Sequence, residues 1–213
     1  KPLIPIGNKV LLQHTLDHLK DNNINEILLI VGYLKEQIKD HFGNGESRGI
    51  KLEYIEQTEF LGTGHATNLA RNFAGEDSFL LIYGDLFMDN TVIKKAINTF
   101  ENHKDSCAGV ITALEVEDPT KYGILNVNED FILKEIKEKP PDNRFGNLAN
   151  AGVYVFSSSI FPCIDETAES PRGEYELTDS IEISILKNQD FKVVNISDYY
   201  WNDVGHPWQF LET

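Results

Sequence analysis

The sequence predicts an α/β domain with helices on both faces of a mixed, mainly parallel sheet. Three observations carry this. The first half alternates short apolar runs with amphipathic stretches, the pattern of β-α units. After Cys107 the texture changes to hairpin-like pairs that would add antiparallel strands. No linker, repeat or low-complexity tract breaks the 213 residues, so residues 1–213 are read as one domain. A chain of this length buries roughly 70% of its unfolded surface and needs no disulfide or metal staple.

Leu12, Leu16 and Leu19 recur at helical spacing and predict a first helix. Glu26-Ile27-Leu28-Leu29-Ile30-Val31 reads as a buried strand, and a helix should cover Leu34 to Phe42 and stop at Gly43. Ile50 to Ile55 reads as a strand with Leu52 and Tyr54 on one face. A helix from Gly64 would bury a stripe of Ala66, Leu69, Ala70 and Phe73. Ser78 to Tyr83 is a second continuous buried strand. Val92, Ile93, Ala96, Ile97 and Phe100 form the next helical stripe. Beyond it, Cys107–Leu114, Gly123–Val127, Ile132–Glu138 and Asn150–Phe156 read as strands. Leu177–Leu186 reads as a helix and Phe191–Ile196 as a last strand.

The charge balance is 19 basic against 34 acidic residues, a net −15. That argues against a nucleic-acid binder, which needs cations for phosphates, and against docking on anionic lipid. No apolar run approaches the ~20 residues that span a bilayer. Lys1-Pro2-Leu3-Ile4-Pro5 does not read as a secretory signal, and none is expected. The two cysteines, Cys107 and Cys163, lack metal or disulfide spacing, so a reducing cytoplasm is expected. The only methionine is Met88, so the chain is expected to continue upstream of Lys1.

In open α/β sheets ligands bind beyond the carboxyl ends of strands. Gly84-Asp85 follows such an end. An aspartate there can hold a hard cation, or can cap the following turn. Asp203 lies in an aromatic stretch, Trp201 to Trp208, where an acid is costly unless paired or metal-bound. The tryptophans themselves are expected to pack. Asp85 and Asp203 are thus two candidate ligands for one Mg²⁺.

Gly62-Thr63-Gly64-His65-Ala66 lies between a strand and a helix. It could offer backbone N–H groups to an anion, or be a plain glycine loop with Thr63 as cap. Glu138-Lys139-Pro140-Pro141 could be a solvated turn, or a carboxylate for sugar hydroxyls beside an ammonium for phosphate. Asn150 could bond hydroxyls or serve as a turn residue. The six histidines are scattered and form no catalytic set.

Taken together, these segments resemble the sugar-phosphate nucleotidyltransferases over essentially the whole chain. Lys1-Pro2-Leu3-Ile4-Pro5-Ile6 looks like the end of the family's opening motif. Gln57 with Gly62-Thr63-Gly64-His65-Ala66 looks like its base-recognition segment. Tyr83-Gly84-Asp85 and Trp201-Asn202-Asp203-Val204-Gly205 look like its two metal-binding strand ends. Tyr122-Gly123, Glu138-Lys139-Pro140, Asn150-Ala151-Gly152-Val153-Tyr154 and Arg172-Gly173-Glu174-Tyr175-Glu176-Leu177-Thr178-Asp179 complete the series in order. The family's first strand and glycine-rich phosphate loop would precede Lys1.

The resemblance implies a Rossmann-like three-layer domain and Mg²⁺-dependent nucleotidyl transfer to a sugar 1-phosphate. It assigns catalysis to Lys1, Asp85 and Asp203, with both aspartates on the metal. It gives the nucleotide to Gln57, Gly62, Thr63, Tyr83 and Gly84, and the sugar phosphate to Gly123, Glu138, Lys139 and Asn150. The implied partners are a nucleoside triphosphate and a sugar 1-phosphate, with no nucleic acid and no membrane. Whether the protein forms a homo-oligomer stays open. The base segment looks most like enzymes that make UDP-N-acetylglucosamine, some of which continue into a β-helix acetyltransferase. A dTTP-dependent glucose-1-phosphate thymidylyltransferase is the nearest alternative. A noncatalytic regulatory or assembly module is the alternative from another class, and a glycosyltransferase is disfavoured by the lack of an Asp-x-Asp set.

Overall fold

A computed structural model describes residues 1–204, so Gly205, His206, Pro207 and Trp208 of the closing motif lie outside the described residues. In chain order, β1 (Pro5–Ile6) and β2 (Lys9–Val10) form an antiparallel hairpin leading into α1 (Leu11–Asp21). Next come β3 (Glu26–Val31), α2 (Lys35–Phe42) and β4 (Lys51–Glu56). Then follow α3 (Thr63–Leu69), α4 (Arg71–Ala74), β5 (Phe79–Ile82), β6 (Leu86–Met88) and α5 (Asn90–His103). The remainder comprises β7 (Gly109–Glu115), β8 (Gly123–Val127), β9 (Leu133–Glu138) and β10 (Leu148–Phe156). It closes with α6 (Ile160–Asp165), α7 (Leu177–Leu186), β11 (Phe191–Asn195) and β12 (Trp201–Asp203).

These elements fall into two compact units. One holds Lys1–Phe60, Tyr83–Lys94 and the segment from Tyr199; the other holds Leu61–Ile82 and Lys95–Asp198. In the first, β3 and β4 pair in parallel, with Glu26 opposite Lys51 and Val31 opposite Glu56. Leu11, Leu12, Leu16 and Leu19 of α1 are buried, as the leucine spacing predicts. α1 has no side-chain cap. Instead the N–H groups of Leu11 and Leu12, left without partners inside the helix, donate to Ile4 O at 2.8 Å and Pro2 O at 2.9 Å. These bonds fix the N-terminal segment, and Lys1 with it, on the helix start.

The second unit is built on a six-stranded mixed sheet, ordered β11-β7-β10-β8-β9 with β5 also on β10. β10 pairs with three strands and has side chains buried on both faces almost throughout, so apart from Asn150 it reads as an apolar run rather than an alternation. Tyr154 and Phe156 stack at 5.2 Å, and the Thr112 hydroxyl, fully buried, donates to Val153 O at 2.9 Å. The α/β class with a mixed sheet is as expected. Within the described residues the parallel pairs are β3–β4 and β7–β11, and the other pairings are antiparallel. The hairpin texture after Cys107 therefore weighs more than the early alternation suggests.

The expected stripe on α3 and α4 is corrected. Gly64, Thr67 and Ala74 are the buried positions, and Phe73 is 37% exposed. The helix turns its small residues inward because backbone from Tyr175 to Glu176 passes directly over Gly64. Among the described residues no helix is long and apolar enough to cross a membrane.

Candidate functional site

In the first unit, β6 and β12 form a two-stranded antiparallel ladder with Asp203 opposite Leu86. One step further, the Val204 N–H donates to the Asp85 carbonyl at 2.8 Å. Two aspartates 118 positions apart (203 − 85) are thereby set one ladder step from each other. Ile6, Leu11 and Val204, all buried, pack with Phe87 and anchor this ladder to the start of α1. Lys1 Nζ lies 3.7 Å from Asp85 Oδ2, with the two side chains 50% and 37% exposed. Lys1, Asp85 and Asp203, the three residues expected to carry catalysis, converge here. An ion pair this exposed contributes only ~0–1 kcal/mol and can yield its charges to a ligand.

Tyr83 and Gly84 lead into the same turn, closed by Leu86 N–H on Tyr83 O at 3.4 Å. Gly84 is exposed, and a Cβ built there would meet nothing within 4 Å, so a ligand can approach the backbone. Gln57 follows β4 and extends its ladder, its N–H donating to Val31 O at 2.8 Å. Trp201 is half-buried rather than buried; Asn202 beside it is buried.

Among the described residues no three His, Cys, Asp or Glu side chains group as a metal cage. Mg²⁺ takes one or two carboxylates and completes its shell with water and substrate phosphate. Asp85 and Asp203 supply hard oxygen donors in the required number, half-exposed and adjacent.

In the second unit, Gly123 stands opposite Glu138 in the β8–β9 ladder. Ala149 opposite Ile124 sets Asn150 beside Gly123 on its other flank. The three residues form a row across β9, β8 and β10. A Cβ on Gly123 would lie 3.0 Å from Glu138 Oε2, 3.3 Å from Thr178 Cγ2 and 3.7 Å from Asn150 Cβ. The missing side chain thus leaves a notch between a carboxylate and an amide, walled by the first turn of α7. Lys139 Nζ lies 3.9 Å from Glu138 Oε1, and the Asn150 amide donates to Tyr154 Oη at 2.5 Å. Burial raises the Glu138 carboxyl above its ordinary value, and the charge of Glu176 adds to this. Lys139 and Arg172 oppose both. The row offers acceptors and donors for vicinal hydroxyls with a cation beside them.

Gly62 and Thr63 belong to this unit, and their loop is used structurally. Gly62 has φ +100°, and a Cβ there would sit 2.7 Å from Tyr175 O. The Gly64 N–H donates to Tyr175 O at 2.8 Å, and Thr63 Oγ1 accepts from Leu177 N at 3.0 Å. Thr63 therefore receives the N-terminus of α7 and does not cap its own helix; Gly62 stands at the cap position. Thr178, Arg172 and Glu176 gather at the carboxylate although no role attached to them in the sequence. The signal was the acid-rich Arg-Gly-Glu-Tyr-Glu string, whose pairing needs the fold to be read.

A family model described as nucleotidyl transferase matches residues 1–213. The bifunctional protein GlmU of Methanocaldococcus jannaschii is 38% identical over all of this chain and 48% of its own length. A glucose-1-phosphate thymidylyltransferase of Streptomyces griseus is 30% identical over all of the chain and 58% of its own. The chain thus spans about half the length of the curated relatives it matches. A crystallised Bacillus anthracis protein assigned as a glucose-1-phosphate thymidylyltransferase superposes with TM-score 0.88, at 27% identity, over 100% of this chain and 84% of its own. With a match from end to end and its motifs folded into two polar clusters, the chain belongs to the nucleotidyl transferase family.

Proposed function

We propose that the protein transfers a nucleotidyl group from a nucleoside triphosphate to a sugar 1-phosphate. A phosphate oxygen of the sugar attacks the α-phosphorus in line, a P–O bond forms, the α–β bridging P–O bond breaks, and pyrophosphate leaves. No proton needs to be removed from the attacking oxygen and no side-chain nucleophile is needed. Catalysis then reduces to alignment and charge neutralisation. The observation that carries the reading is the convergence of Lys1, Asp85 and Asp203.

Asp85 and Asp203 would hold Mg²⁺, whose role is to neutralise phosphate charge. Lys1 adds a point cation to the same task. Gln57 can present both a donor and an acceptor to a pyrimidine edge, and Gly84 lets the nucleotide lie close to the backbone at Tyr83. The roles of Gly62 and Thr63 toward the base rest on the family resemblance alone. Glu138 and Asn150 orient sugar hydroxyls at Gly123, and Lys139 faces the phosphate of the sugar substrate. The free, buried thiols of Cys107 and Cys163 support action in a reducing compartment, the cytoplasm.

UTP and N-acetylglucosamine 1-phosphate are the substrates we favour, supported by the GlmU relatives. The thymidylyltransferase relatives favour dTTP and glucose 1-phosphate as the second reading. The two bases differ by one methyl group, a discrimination of only ~1–3 kcal/mol. The deciding experiment is a matrix of triphosphates against sugar 1-phosphates, with Mg²⁺ and the full-length protein, read as pyrophosphate release. One pair should lead clearly. No turnover with any pair would leave a noncatalytic module.

A further inference from the structure

The string from Arg172 to Asp179 has no part in the mechanism above, yet it meets Glu138 from two sides. Arg172 Nη2 lies 2.5 Å from Glu176 Oε1 and 3.3 Å from Glu138 Oε1. One nitrogen thus bridges two carboxylates. Glu176 is 4% exposed, and the Ser170 hydroxyl also donates to its Oε1 at 3.4 Å. An acid buried this deeply needs its cation, so Arg172 is held in one place by the cost of leaving Glu176 unpaired.

The consequence falls on Glu138. Its Oε1 is held by Arg172 and, at 3.9 Å, by Lys139. Its Oε2 is turned the other way, toward Gly123, with the Thr178 hydroxyl 3.5 Å off. One oxygen is engaged and the other is presented at the notch.

We propose that the Glu176–Arg172 pair is a positioning device that holds Glu138 with one carboxylate oxygen aimed at a hydroxyl of the sugar substrate. This rests on the reading of Glu138 as a sugar ligand, and Arg172 and Glu176 act through it. The groups facing Glu138 are Lys139 at its own strand end, Arg172 from the loop, Glu176 at the cap of α7, Thr178 from α7, Gly123 from β8 and Asn150 from β10. Arg172 favours the ionised carboxylate, and Glu176 disfavours it. Removing one or the other therefore moves the Glu138 titration in opposite directions, as contact with both requires, whereas loss of the held geometry shows separately as weaker binding of the sugar phosphate alone.

The test is the titration of the Glu138 carboxyl carbon by NMR in the ligand-free, full-length protein, paired with kinetics. Arg172→Met should raise the Glu138 titration and move the acid limb of kcat/KM for the sugar 1-phosphate to higher pH. Its KM for the sugar phosphate should rise about tenfold, the usual loss for a charged hydrogen bond, with KM for the triphosphate unchanged. Glu176→Gln should lower both the titration and the limb. Arg172→Lys keeps the charge without the bridge and should fall between wild type and Arg172→Met; it replaces Arg172→Met should that variant not fold. Opposite titration movements together with weaker binding of the sugar 1-phosphate, and not of the triphosphate, by the arginine variant support the device. No movement, movement in one direction, or unchanged sugar-phosphate binding overturns it. Absence of turnover by the wild type would overturn the enzymatic reading alone, because the titration judges the pair without substrate.

Discussion

Gly123 matters for the side chain it lacks. A methyl group there would press on Glu138 Oε2 at 3.0 Å and on Thr178 Cγ2 at 3.3 Å, and one of them must move. Overpacking of this kind costs ~1–3 kcal/mol. Gly123→Ala should therefore raise KM for the sugar 1-phosphate several-fold, by roughly the effect of one misplaced hydrogen bond, and leave the triphosphate KM as it was. Steady-state kinetics on both substrates will decide; an unchanged sugar KM would remove Glu138 from the sugar site. At this scale the sequence was legible where chemistry and position coincide. Asp85 and Asp203 stand out as acids at apolar strand ends, Glu138 and Asn150 as polar residues flanking strands. The Arg172–Glu176 pair was not legible, because a tight turn from Ser170 to Gly173, closed by Gly173 N–H on Ser170 O at 2.8 Å, decides which acid the arginine meets.

Elements were legible in proportion to their periodicity. α1, β3 and α7 follow from leucine spacing, a five-residue apolar run after Glu26 and an isoleucine-rich helix. β6 and β12 were missed, since strands of three residues carry no period and exist only by pairing with each other across the chain. The α3 stripe departs from the apolar pattern because Gly64, and not the apolar residues, lies against the Tyr175 backbone. Gly62 shows the force of that contact. Gly62→Ala would combine φ +100° with a Cβ 2.7 Å from Tyr175 O. The urea midpoint should fall by the equivalent of about 2 kcal/mol or more; a loss below half of that would mean that the loop is free to shift.

α7 also carries Glu182, whose carboxyl is raised by burial, with the charges of Asp179 and Glu135 adding to it. Lys137 and the Ile136 N–H oppose. A raised acid holds its proton in the folded state at pH values where the unfolded chain has released it. Its stabilising contribution is therefore present at acid pH and is lost as pH rises through the folded value. Glu182→Gln should raise the melting temperature at about pH 8 and lose that advantage by about pH 4, below the ordinary glutamate value. A constant difference across this range would show that packing, not charge, is responsible.

At the scale of the whole molecule the governing number is a net charge of −15. It speaks against polyanions and membranes, yet the proposed substrates are themselves anions. In the proposed function the resolution is local: Lys1 and a metal on Asp85 and Asp203 would meet the phosphates, while most other acids face solvent. Without the metal, a carboxylate ~4 Å from a phosphate costs roughly 1–4 kcal/mol of repulsion per unit charge. Triphosphate affinity by calorimetry should accordingly fall about tenfold or more when Mg²⁺ is chelated; equal affinity with and without Mg²⁺ would refute the metal's role. The class of the molecule and the order of its motifs are legible in the sequence, because each motif is local. It hid the division into two compact units, which alternates along the chain and leaves no change of composition at its borders.

The central claim is that Asp85 and Asp203 act together in nucleotidyl transfer. It is tested most directly by pyrophosphate release from the wild type, Asp85→Asn and Asp203→Asn, at saturating Mg²⁺ with the best substrate pair. Robust release by the wild type and near-complete loss in each variant are expected, with unchanged circular dichroism. Wild-type rates in both folded variants would contradict it.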